Sequence, residues 1–135
     1  MKRSILSFLA GLVLWILLLS ALNRALRVFF GGYAAAEPSM SFTLPMLWAR
    51  LAIGTLASLV TGAAVAWISP AGARVPTLLG AALLLAFIPI HVRLWSLFPF
   101  WYHLVFLGTL IPLVVLGARL APARPAGALP GGTRA

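Results

Sequence analysis

The stretch FIPIHVRLWSLFPFWYH, residues 87–103, joins two long apolar runs through a turn of only a few residues. Each flanking run holds about 20 mostly apolar residues, the length that crosses a bilayer's hydrocarbon core. Two such runs joined so closely have to pack as antiparallel neighbours. The same stretch holds both histidines, an arginine, two tryptophans and a tyrosine. Any chemistry is therefore sought at this end of the fold.

Two further apolar runs precede it, so the reading is all-α: an antiparallel bundle of four transmembrane helices over residues 4–22, 45–68, 76–95 and 99–120. Of the 135 residues, 63% are hydrophobic and 8% charged, which leaves no water-facing surface for a soluble domain of this size. There is no cysteine, so disulfides, thiolate metal sites and cysteine nucleophiles are excluded. The net charge of +9 is scattered as singles and pairs rather than gathered in a patch. Such charges anchor helix ends at lipid headgroups, and nucleic acid is not an expected partner. The arginine-, alanine-, glycine- and proline-rich composition fits a GC-rich bacterial genome.

Residues 4–22 are too long for the apolar core of a signal peptide and lack a small-residue cleavage site, so they are expected to stay as the first helix. Residues 23–44 form the longest connection, with an interfacial segment at Ala25–Phe30 broken by Gly31 and Gly32. Pro45, Pro76 and Pro99 suit first turns, where a missing N–H has no helical partner. Pro89 and Pro112 fall inside helices and free the carbonyls of Leu85 and Gly108. Gly54, Ser58, Gly62 and Ala66 recur every four residues, a ridge of small side chains that lets another helix approach closely. The tail, residues 121–135, is Pro-, Gly- and Ala-rich and is expected to be disordered.

Four crossings put both termini on one side. That side carries Lys2, Arg3, Arg74, Arg119, Arg124 and Arg134, against Arg24, Arg27, Arg50 and Arg93 on the other. The excess predicts cytoplasmic termini in a bacterial inner membrane. Glu37, Arg50, His91, Arg93 and His103 then share the outer rim as a candidate polar cluster. Glu37 is the only acid in the chain, and a pairing with Arg50 would fold the first loop over the bundle mouth.

Three functions compete for this pattern. The ridge and the absence of acids within helices favour a non-enzymatic subunit or assembly partner, working through helix packing as a homo-oligomer or in a larger membrane complex. Arg50 and Arg93 could instead line a path for anions or small solutes. His91 and His103, level across a hairpin, could ligate haem or a metal, but two imidazoles with one carboxylate are a thin ligand set, and no cofactor is expected. No carboxylate pair, nucleophile turn or phosphate loop recommends an enzyme.

Overall fold

The computed structural model describes residues 2–68 and 74–122. Five helices make up the described chain: α1 (Lys2–Phe29), α2 (Tyr33–Ala36), α3 (Leu44–Ile68), α4 (Arg74–Arg93) and α5 (Phe100–Leu120). All but α2 are long and apolar enough to cross a membrane, so the fold is that of a multi-pass, all-helical bundle. The expected tail lies outside the described residues, apart from Ala121 and Pro122.

α1 is longer than its apolar run. It continues past Leu22 through residues 23–29, absorbing the segment expected to lie separately at the interface. Asn23 and Arg24 end the apolar run but not the helix, because a helix satisfies its backbone internally whatever its side chains are. The stop comes at Gly32, whose φ of 79° is the left-handed conformation that favours glycine. Met40, with φ 54°, is the one non-glycine in that region among the described residues, and it sits where the chain turns back toward α3. α4 starts two residues before Pro76 and ends at Arg93 rather than at Trp95, and Pro99 caps α5.

The helices form a ring in the order α1, α3, α5, α4, and the α4–α1 joint that closes it is the sparsest. Backbone proximity holds α3 to α5. A methyl group on Gly62 would overlap the Val114 carbonyl, and one on Gly117 would overlap that of Leu59. On α4, a methyl on Gly80 would come within 2.8 Å of the Ile111 Cα. Hydrogen bonds hold α1 to α3: Trp15 Nε1 donates to Ser58 Oγ at 3.0 Å, and Ser7 Oγ donates to the Val65 carbonyl at 3.0 Å. In lipid, where apolar burial gives little drive between helices, close backbone packing and such interhelical bonds are the main sources of association. Leu79, Leu83, Val65 and Val114 fill the centre, and Leu6, Leu9, Leu17 and Leu85 face outward.

Candidate functional site

At the end of the bundle away from Lys2, residues from α1, α3, α4, α5 and the first loop enclose a cavity of about 250 Å³. Its floor and walls are apolar, with Leu19, Ile53, Phe87, Ile90, Leu94, Phe98 and Phe106. Its polar groups are Ser20, Asn23, Glu37, Arg50, His91 and Tyr102.

Arg50 is the centre of the polar side. It lies six residues into α3, about 9 Å along the axis. Its Nη1 donates to Tyr33 Oη at 2.7 Å and its Nε to Tyr102 Oη at 3.3 Å. The guanidinium carbon stands 4.6 Å from the centroid of Phe42, a cation–π arrangement. Nη2 has no hydrogen-bond partner among the described residues. All of these direct partners are neutral; the chain's one carboxylate side chain, Glu37, lines the same cavity but bonds to Arg27 rather than to Arg50.

The Glu37–Arg50 pairing that the sequence allowed does not form. Glu37 Oε2 is 2.5 Å from Arg27 Nε, and Glu37 Oε1 accepts from Asn23 Nδ2 at 3.0 Å. The continuation of α1 is the physical reason, since it carries Arg27 to the level of the loop and leaves the single acid nearer to that arginine. Arg27 and Asn23 hold the Glu37 carboxyl below the usual carboxylate range, partial burial opposing them. Asn23 completes a relay by accepting from Tyr33 Oη at 2.7 Å, so contacts run from Arg27 through Glu37, Asn23 and Tyr33 to Arg50. Tyr33 is fully buried, and that burial pushes its phenol up, against the opposing pull of Arg50.

His91 and His103 meet edge to face, their Nδ1 atoms 2.8 Å apart. One must donate and the other accept, which fixes a tautomer on each ring. His103 is fully buried between Trp95, whose ring stacks on it at 4.8 Å, and Phe98, and its Nε2 has no partner. A buried, unpaired N–H is rarer and costlier than an unpaired lone pair, so the shared proton belongs to His103 Nδ1. His91 then accepts at Nδ1 and carries its own proton on Nε2, and it is one of the residues that line the cavity. A metal ion between the rings would have to displace that hydrogen bond. Among the described residues, no group of three His, Cys, Asp or Glu could complete its coordination.

Arg93 is exposed and outside the cavity, so of the arginines expected to line an anion path only Arg50 is present. Gly54 packs against Phe106 of the cavity wall, a methyl there coming 3.3 Å from Cε2. Ser58 and Gly62 are covered by α1 and α5, and Ala66 is partly covered. The ridge thus carries helices of its own chain. Asn23, Tyr33 and Tyr102 are site residues that the sequence alone did not single out. The available signal for Asn23 and Tyr102 was level: Asn23 on α1 and Tyr102 beside His103 stand at the depth of Arg50. No protein-family model, curated protein or solved structure matches this chain, so the chemistry of the cavity has to be taken from its own residues.

Proposed function

We propose that this is a non-enzymatic, multi-pass protein of a bacterial inner membrane, with cytoplasmic termini, whose outward-facing cavity binds an anionic group on Arg50. The observation that carries this reading is a part-buried guanidinium with two phenols as partners, a free Nη2 and no carboxylate bonded to it, Glu37 being held by Arg27. A charge partly withdrawn from water favours a partner, and with the one acid of the chain held by Arg27, Arg50 is left to receive an anion from outside. His91 Nε2–H and the Tyr102 hydroxyl supply neutral donors around the anion, while the Tyr33 hydroxyl stays committed to Asn23 Oδ1. Neither imidazole is hydrogen-bonded to a hydroxyl nucleophile among the described residues, in keeping with binding rather than a chemical step. Sidedness follows from the excess of basic residues at the opposite end.

The assembly-subunit reading drew on the ridge at Gly54, Ser58 and Gly62, and that surface is now occupied by α1 and α5. The anion reading uses a feature that nothing in the chain occupies. Calorimetric titration of the detergent-solubilised protein with inorganic phosphate tests it. Saturable binding that weakens about ten- to a hundredfold in Arg50→Gln, and is unchanged in Arg93→Ala, is the expected result. Absence of any Arg50-dependent anion binding, to phosphate or to a phosphate-bearing amphiphile, would end the proposal.

A further inference from the structure

The cavity has two sides from which an occupant could come, and they differ in what covers them. On the aqueous side, the first loop crosses the mouth, bringing in Met40 and the carboxylate of Glu37, the chain's only acid. That side is covered by a loop held down through the Arg27–Glu37 and Asn23–Glu37 contacts. On the lateral side lies the sparsest joint of the ring, between α1 and α4. Ser20 of α1 and Ile90 of α4 line the cavity and are also exposed on the outer surface, Ile90 at 44%. Residues that belong to both an inner wall and an outer face mark a side opening. The outer faces beside it, with Ile16, Leu17 and Leu85, are apolar.

Depth and volume narrow the occupant. Arg50 lies about 9 Å along α3, and His91 is two residues from the end of α4. This is the level at which lipid headgroups meet hydrocarbon, not the bilayer midplane. A cavity of about 250 Å³ falls below the ~300–1,000 Å³ of pockets that enclose a drug-sized ligand, so an amphiphile would keep only its head inside. From these observations we infer that the cavity takes the phosphate headgroup of an anionic lipid, entering from the membrane, with its acyl chain leaving through the α1–α4 seam.

The inference rests on the anion-binding reading and adds the source of the anion. A small headgroup without a cation of its own fits best, because a choline or ethanolamine head would place a second positive charge near Arg50. Phosphate oxygens take the free Nη2 and the His91 Nε2–H, and Ile90, Leu94 and Leu19 flank the first carbons of the chain.

The full-length protein in phosphatidylcholine nanodiscs, doped with phosphatidic acid carrying a photoreactive group on its acyl chain, tests this directly. Crosslinks are mapped by peptide mass spectrometry, and binding of inorganic phosphate is measured on the same variants. Label concentrated on residues 16–20 of α1 and 85–94 of α4, falling about tenfold in Arg50→Gln and in the seam-filling Ile90→Trp but not in Arg93→Ala, is the expected result. Ser20→Trp fills the seam from the other helix and serves if Ile90→Trp does not fold. Arg50-dependent binding of free phosphate, with acyl label spread evenly over all four helices, would overturn the lipid inference and leave the anion site standing. Loss of both signals would overturn both.

Discussion

Replacing Gly62 by alanine adds one methyl group where α3 meets α5. That methyl would overlap the Val114 carbonyl oxygen, and it would lie 2.9 Å from the carbonyl carbon and 3.0 Å from the Ala118 nitrogen. These neighbours are backbone, so no side chain can swing aside and the two helices must separate. Overpacking of this kind costs about 1–3 kcal/mol, and contact with backbone places it near the top of that range. Alanine recovers up to about 1 kcal/mol over glycine in a helix, which leaves a net loss of about 2 kcal/mol. Gly108, on the same helix pair but with nothing within 4 Å, is the internal control, and Gly108→Ala should be neutral or stabilise by up to about 1 kcal/mol. The assay is reversible unfolding in mixed micelles, run at several protein-to-detergent ratios. Because α5 of the same chain covers Gly62, the loss should be independent of dilution. A Gly62→Ala protein as stable as the parent would refute the close-approach reasoning. A loss that vanishes on dilution would instead place the ridge between copies of the chain.

Trp15→Phe removes the indole N–H from Ser58 Oγ and should cost about 1 kcal/mol by the same unfolding assay. Ser58→Ala, which strands a buried donor, should cost at least as much, and the double variant less than the sum. Glu37 is the only side-chain carboxylate, so glutamate-labelled protein gives one side-chain carboxyl NMR signal to follow. Its midpoint should fall below the unperturbed value of about 4.3 and rise toward it in Arg27→Gln. Since the folded-state value is the lower one, the loop's stabilisation is complete above the unfolded value and is lost as pH falls through the folded one; a midpoint at or above 4.3 would sink this. Imidazole nitrogen NMR should find His103 protonated at Nδ1 and His91 at Nε2, and the reverse assignment would remove His91 as a donor to the cavity.

The four membrane-length helices were legible because hydrocarbon imposes length and apolarity on any helix that spans it. Pro45, Pro76 and Pro99 marked first turns for the same elementary reason, a missing N–H that no helix needs there. The spacing of Gly54, Ser58 and Gly62 was readable as a packing surface, but not which helix would use it, since the pattern is the same for a helix of the same chain or of another. The end of α1 was misjudged at Leu22 because polarity was taken as a terminator, whereas Gly32 in its left-handed turn is what breaks the helix. That error carried over to the site. With residues 23–29 assigned to a loop, Arg27 had no fixed level, and the lone acid was matched to Arg50 instead. The roles of Tyr33 and Tyr102 depended on the closure of the ring, which no local pattern encodes.

The unequal lengths of the helices have a consequence for the surrounding bilayer. The 28 residues of α1 span about 42 Å, whereas the 20 residues of α4 span about 30 Å, close to the thickness of the hydrocarbon alone. A membrane fitted to the short hairpin also fits the apolar run of α1 over residues 4–22, and it leaves about two turns of α1, with Asn23, Arg24 and Arg27, standing in the headgroup layer. Lipids along the two flanks of one molecule therefore meet different heights. The step between them falls at the α1–α4 joint.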